Sequence, residues 1–359
     1  ILNGPVFVEK LNKEEIMELE DLKKRPNFVK FLTEKETMVK IAEGVSIDPK
    51  MLESEETTTL SSRILVSGKW KELKFSDIDL SQPVPSVFPA RMHPLSELIN
   101  LIKEIMESLG FTEIEGPVIR SSFWNFDVLF TPQDHPARDM HDTFYIKDVK
   151  LEEADKDLVN RVKNVHENGW ITGSTGWGYV WDQNAAWKAL LRTHTTTITA
   201  EAIYKGMKGR IFTVGRVFRN EKPDFKHLVE LHQLDAIVIE EEASIRKLMG
   251  FLTVFYKKLG FEKIKFWPTF FPYTEPSMQS MIYSEKLKDW IELCGMGIFR
   301  PEVTKPLGYE GPVLAWGMGL ERLAMLIYDV ENIRDFYENR LNFLRNYKSI
   351  NLKLKGPIL

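Results

Sequence analysis

Two alternating segments carry the residues best suited to chemistry. In IFTVGRVFR (211–219), Thr213, Val217 and Arg219 fall on one face, and Phe212, Val214 and Phe218 on the other. The return segment LHQLDAIVI (231–239) puts Leu231, Gln233, Asp235, Ile237 and Ile239 on one face. Gln233 and Asp235 therefore point the same way, and an amide beside a carboxylate can hold an ammonium group. Arg219 ends the partner segment with a planar donor fork that suits a phosphate. Glu221 follows in the connecting loop Asn220–Glu230, which is long for a hairpin and able to close over a ligand. Cross-strand ion pairs on a wet face use the same residue types, so both readings stand.

Other stretches offer complementary groups. VLAWGMGLERLAML (313–326) is an apolar run ending in Gly-Met-Gly, with a helix expected from about Leu320. Small residues let backbone approach a ligand. Arg322 falls in the first helical turn, where the helix dipole disfavours a cation, so an anionic partner or a solvent-directed side chain would account for it. FFPYTEPSM (270–278) sets Phe271 and Tyr273 on one side of an extended segment, with Glu275 following. Two rings beside a carboxylate suit an aromatic substrate near a metal ion, although aromatic residues are more often core. LLRTHTTT (190–197) packs hydroxyls around His194, for which a helix cap is the simple account. His135, Arg138 and His141 in PQDHPARDMHDTFY (132–145) lack a recognised metal-ligand spacing. Cys294 reads as a packed thiol.

The elements that must position these groups are legible in outline. KEEIMELEDLKKRP is helical, with Ile16, Leu19 and Leu22 at helical spacing and Pro26 ending it. NFVKFLTEKETMVKI then reads as two short strands. Residues 1–48 thus suggest a partial winged helix, and an excess of Lys and Arg between Asp21 and Lys40 is compatible with RNA contact or with a solvated helix end. Residues 49–92 read as a connector, polar in ESEETTTLSS and proline-rich before His93. A second domain, 93–359, opens with a helix led by Pro94 and stopped by Gly110. FTEIEGPVI follows as a strand interrupted at Pro117, and consecutive strands then outnumber helices, as in an antiparallel α+β domain.

The 359 residues suffice for two or three domains, and 43% hydrophobic content supports a large core. A net charge of −4 gives no global nucleic-acid signature. One cysteine rules out an intrachain disulfide framework and a cysteine-rich zinc site, and fits a reducing compartment. No apolar run reaches membrane-spanning length, and no secretory signal is read; the start at Ile1 suggests a fragment or processed form. Neither a dinucleotide-binding glycine fingerprint nor a P-loop is found.

The order of the motifs is specific. A helix leading into a strand that ends at Pro117, then Phe-Arg-x-Glu at 218–221, then Gly-x-Gly-x-Glu-Arg at 317–322, resembles motifs 1, 2 and 3 of the class II aminoacyl-tRNA synthetases. These motifs fall near 93–120, 211–239 and 313–327. SSFWNFDVLFTPQDHPARDMHDTFY, LLRTHTT, FPYTEPSM, GIFRPE and AWGMGLERL narrow the resemblance to the archaeal and eukaryotic phenylalanyl-tRNA synthetase α-subunit family, over about 89–340.

That resemblance implies a six- or seven-stranded antiparallel sheet flanked by helices. It also implies ATP and phenylalanine as substrates, Mg²⁺ as cofactor, tRNA(Phe) as acceptor, a cytoplasmic location and an α₂β₂ assembly with a β subunit. By the same resemblance Arg219 contacts the α-phosphate of ATP, with Glu221 and His227 on the adenine and phosphate side. Arg322 stacks on adenine and faces the γ-phosphate. Gln233 and Asp235 hold the substrate amino group, with Leu234, His194 and Thr196 nearby. Phe271, Tyr273, Phe299 and Ala315 line the ring pocket, and Glu275 binds magnesium. Three positions depart from the family pattern: Leu231 replaces an adenine-stacking phenylalanine, Asp235 replaces a glutamate, and Cys294–Gly295 replaces a Gly-Asn-type pair. The rival readings are a related class II synthetase for another amino acid and a non-catalytic RNA-binding paralogue.

Overall fold

The computed structural model describes residues 11–23, 56–57, 59–75, 91–225, 227–348 and 350. The chain divides into two compact units, Ile1–Val87 and Phe88–Leu359. In the first unit a helix spans Lys13–Lys23, and Asn12 and Glu15 exchange backbone-to-side-chain hydrogen bonds at its start. The strand pair expected over 27–41 lies outside the described residues, as does most of the basic stretch before Lys40. Within the expected connector there is local order. A helix over Ser62–Ser67 is capped by Ser61 and closed by Gly68 at φ 73°, and the two-residue strands Glu56–Thr57 and Lys74–Phe75 pair in parallel.

The second unit begins with α1 (Pro94–Ser108), then β1 (Thr112–Glu113), β2 (Ile119–Ser121), β3 (Tyr145–Lys150), α2 (Lys156–Asn168), β4 (Lys188–Leu191), α3 (Thr196–Tyr204), β5 (Gly209–Phe218) and β6 (Glu230–Ile239). It continues with α4 (Ile245–Lys258), β7 (Ile264–Pro268), β8 (Thr274–Ser284), β9 (Asp289–Phe299), β10 (Val313–Gly319) and α5 (Leu320–Tyr328), with shorter turns of helix between. Seven strands form one sheet in the order β1-β5-β6-β10-β9-β8-β7. Every pair is antiparallel except β1 with β5, which is parallel. A smaller sheet has the order β2-β4-β3.

The segment read as one strand interrupted at Pro117 is two strands in different sheets. Gly116 sits at the break, where a Cβ would lie 2.9 Å from the Ile198 side chain. Arg192 then ties the break to β5. Its guanidinium donates to the carbonyls of Gly116, Pro117 and Arg216 at 3.0, 3.3 and 2.8 Å.

Alternation along β6 sorts the two faces of the large sheet. Leu234, Ala236 and Val238 pack with Leu98, Ile102 and Ile105 of α1 and Leu248, Leu252 and Phe255 of α4. Each such aliphatic side chain, once buried, contributes about 1.5–3 kcal/mol. Ile237 and Ile239 join the opposite core with Phe123, Leu129, Ala200 and Phe299. The polar residues Gln233 and Asp235 open onto this second side. Among the described residues, no helix is long and apolar enough to cross a membrane.

Candidate active site

A cavity of about 430 Å³ lies on that face, across β6, β10, β9 and β8, with Thr196 of α3 and Arg219, just after β5, at its edge. Antiparallel register sets its floor, with Gln233 opposite Gly215 on one side and Gly319 on the other, and Asp235 between Thr213 and Gly317.

Asp235 is the centre of the floor and is 2% exposed. Thr196 Oγ1 donates to Oδ2 at 2.8 Å, Thr199 Oγ1 to Oδ1 at 3.1 Å, and Gln233 Nε2 to Oδ2 at 3.2 Å. Burial pushes the carboxyl up to about 7, and the three donors hold it below what burial alone would give. A desolvated carboxylate of this kind has much to gain from an arriving ammonium. Thr195 occupies the cap position of α3 without the side-chain cap bond expected of it, while Thr196 and Thr199 give their hydroxyls to Asp235. Gly317 is required here. A Cβ on it would stand 2.9 Å from Asp235 Oδ2 and 3.0 Å from Gln233 Nε2.

One end of the cavity is aromatic. Phe271 and Tyr273 lie nearly parallel, with centroids 6.2 Å apart, and Tyr273 meets Phe299 edge-on at 6.4 Å. Ala315 completes this wall. Gly295, one of the departures from the family pattern, makes room for Phe271, whose ring tip would lie 2.8 Å from a Cβ at that position. Cys294 is buried and donates to the Gly295 carbonyl at 3.3 Å; burial raises its thiol, as expected of a packed group.

The other end is polar. Arg219, Glu221, His227, Leu231, Glu292 and Arg322 line it. Arg219 Nε lies 3.5 Å from the Thr193 carbonyl, and Arg322 Nη1 donates to the Glu292 carbonyl at 3.3 Å. Glu321, buried beside Arg322, accepts on Oε1 from the His232 backbone N–H at 2.8 Å and from Tyr337 at 2.7 Å. It thereby fixes α5 against β6.

Three expected site residues stand apart from the cavity wall. Leu234 is fully buried in the opposite core, because alternation turns it away from its neighbours Gln233 and Asp235. His194 is half-buried off the cavity lining, edge-on to Phe126, with Nδ1 unpartnered among the described residues. Burial first, and then Arg219, lower it to about 4, so the ring is neutral. Glu275 is exposed, where a register shift between Thr274 and Ser277 interrupts the pairing of β8 with β9. The carboxylates that do border the polar end are Glu221, Glu292 and the already engaged Glu321, and Glu292 Oε1 accepts from Gln279 at 2.9 Å. Among the described residues no three His, Cys, Asp or Glu side chains cluster as a ready metal cage. Carboxylates beside two arginines at the rim of a cavity nonetheless fit Mg²⁺, which keeps several waters and needs few protein ligands. His135 caps a short helical turn by accepting from the Ala137 N–H at 3.1 Å, and Arg138 is buried in an ion pair with Asp127 at 3.0 Å. Both are therefore structural.

Sequence reasoning missed Thr199, Gly317, Glu292 and Glu321. Thr199 had a signal, since Thr196 and Thr199 at i, i+3 share a helix face. Glu321 and Gly317 lay within a recognised motif but had no assigned role.

The family described as "tRNA synthetases class II core domain (F)" matches residues 77–347. Among curated proteins, the chain is 48% identical over 301 residues to the phenylalanine–tRNA ligase alpha subunit of Methanopyrus kandleri, covering 82% of this chain and 57% of that protein. It is 44% identical over 346 residues to the namesake of Methanothermobacter thermautotrophicus, covering 95% and 68%. With that of Thermoplasma volcanium it shares 43% identity over 351 residues, covering 95% and 71%. The chain thus spans between about half and three-quarters of the length of these relatives.

Proposed function

The chain belongs to the class II tRNA synthetases, in the family of phenylalanine–tRNA ligase α subunits, and from that premise we propose that it activates phenylalanine with ATP and passes it to tRNA(Phe). The observation that carries the reading is Asp235, a buried carboxylate held by Thr196, Thr199 and Gln233 between an aromatic recess and two arginines. An amino acid with its ammonium on Asp235 and its ring between Phe271, Tyr273, Phe299 and Ala315 directs its carboxylate toward Arg219.

Phenylalanine's carboxylate oxygen attacks the α-phosphorus of ATP, and the bond to the β-phosphate bridging oxygen breaks, releasing pyrophosphate. The nucleophile is already ionised, so no general base is needed; in-line positioning and charge stabilisation are. Arg219 stabilises charge on the α-phosphoryl oxygens. Arg322, with Glu221 and His227, holds the purine and the outer phosphates. Glu292 is the residue that would hold Mg²⁺, which when bound supplies charge neutralisation on the phosphates. The exposed Glu275 serves as a second, separate candidate. A hydroxyl of the tRNA's terminal adenosine then attacks the acyl carbon and expels AMP. His194 stays neutral, through burial and the charge of Arg219, and so adds no second positive charge near that arginine. A β subunit in an α₂β₂ assembly and a cytoplasmic location belong to the same proposal.

The test is pyrophosphate exchange into ATP by the chain assembled with its β subunit. Exchange should require phenylalanine, and Arg219→Ala should lower it at least about 100-fold, as loss of a transition-state donor does. Equal exchange with another amino acid, or none, overturns the assignment; a loss of tenfold or less makes Arg219 peripheral.

A further inference from the structure

Beyond the cavity, the small sheet β2-β4-β3 bears a second concave surface of about 760 Å³, lined in part by Met140, Tyr145, Lys147, Lys150 and Lys188. β3 is an edge strand of that sheet. Its pairing is irregular, since Tyr145 stands opposite Leu190 and Lys150 opposite Lys188. Five steps along β3 therefore match two along β4. In a regular strand residues 147 and 150 would point to opposite faces. The pairing here is irregular, with Asp148 at φ 57°, and all of Tyr145–Lys150, both lysines included, borders one groove.

The groove is cationic. Lys147, Lys150 and Lys188 are exposed, and among the described residues none of the three forms an ion pair. Lys150 donates to the Asn184 amide oxygen at 2.9 Å, and Lys188 Nζ lies 6.0 Å from the Tyr145 ring centroid. Among the described residues Asp148 is the lone carboxylate on the lining, and Arg138 there is already paired with Asp127. Exposed Met140 and the partly covered Tyr145 ring add apolar surface between the charges.

The groove also adjoins the candidate active site. Asn220, next to Arg219, donates from its backbone N–H to the Asp142 carbonyl at 3.0 Å and from its side chain to the Met140 carbonyl at 2.8 Å. The segment that bounds the groove is thus bolted to the loop that bounds the cavity.

Lysines interleaved with a ring and a thioether suit a flexible polyanion whose bases have apolar faces. We propose that this groove binds the single-stranded 3′ segment of the RNA acceptor and leads its terminal nucleotide to the cavity. The proposal rests on the reading given under "Proposed function", which supplies an RNA whose end must reach the cavity. The lysines act by holding phosphates and take no part in amino-acid activation.

The experiment compares the wild-type assembly with K147A/K150A/K188A. Pyrophosphate exchange should stay within about twofold, while KM for tRNA in aminoacylation rises at least tenfold near physiological salt. The slope of log affinity against log salt should flatten by about 2, since each single-strand phosphate contact contributes about 0.7. A tRNA trimmed of its 3′ tail should bind wild type and variant alike. As a second measurement, tRNA photocrosslinked from its 3′ tail should label β3 or the 139–142 segment. Unchanged KM and slope overturn the groove assignment, as do equal weakening of the trimmed tRNA, crosslinks confined elsewhere, or a parallel loss of exchange. Failure of wild-type exchange instead overturns the activation reading. In that case anisotropy with a labelled single-stranded RNA still tests the groove, and equal affinity for wild type and variant overturns it.

Discussion

Replacing Asp235 by Asn separates what this residue costs the fold from what it gives the site. The carboxyl is raised by burial from 3.8 to about 7. At about 1.4 kcal/mol per pH unit, keeping it charged at pH 8 costs the folded state about 4 kcal/mol relative to an unfolded chain. The folded state binds the extra proton between about pH 4 and 7, so this group makes stability fall as pH rises through that window. An asparagine keeps the shape, and the Thr196 and Thr199 hydroxyls and the Gln233 amide can turn to suit it. We therefore expect D235N to be at least as stable as wild type at pH 8 in urea unfolding, with a flatter dependence between pH 5 and 8. Activity should go the other way. Removing one partner of a buried ion pair costs about 3–5 kcal/mol, so kcat/KM for phenylalanine in pyrophosphate exchange should fall on the order of 100- to 1,000-fold or more. In the wild type, kcat/KM for phenylalanine should decline about tenfold per pH unit below about 7, as Asp235 takes a proton. If D235N is destabilised equally at pH 5 and 8, or retains phenylalanine kcat/KM within tenfold, the buried-carboxylate argument is wrong.

Two further substitutions probe the walls. G317A drives a Cβ against Asp235 Oδ2 and Gln233 Nε2; KM for phenylalanine should rise about tenfold while KM for ATP holds within twofold, and parallel changes in both would contradict the placement. A315G should enlarge the recess beside Phe271 and Tyr273 and raise kcat/KM for ring-substituted phenylalanines about tenfold; no gain would remove Ala315 from the ring's edge.

Much of this protein was fixed locally. A period of two along 211–219 and 231–239 was enough to put Arg219, Gln233 and Asp235 on one side of a hairpin, because strand geometry leaves no other choice. The same rule turns Leu234 into the opposite core, and sequence-adjacent grouping had obscured that. Helix α1 followed from its apolar spacing and its flanking Pro94 and Gly110. Long-range features were not legible. Thr196 and Thr199 reach Asp235 across more than 35 residues of chain, and Glu321 reaches β6 across 89, through contacts that no local pattern encodes. The irregular pairing of β3, five steps against two along β4, departs from simple alternation, and only the pairing itself reveals it. The sequence by itself determined which residues each strand and helix presents on a face, since backbone geometry sets that residue by residue. The tertiary structure decided how deeply Asp235 is buried and which donors it meets, because desolvation depends on packing from every side.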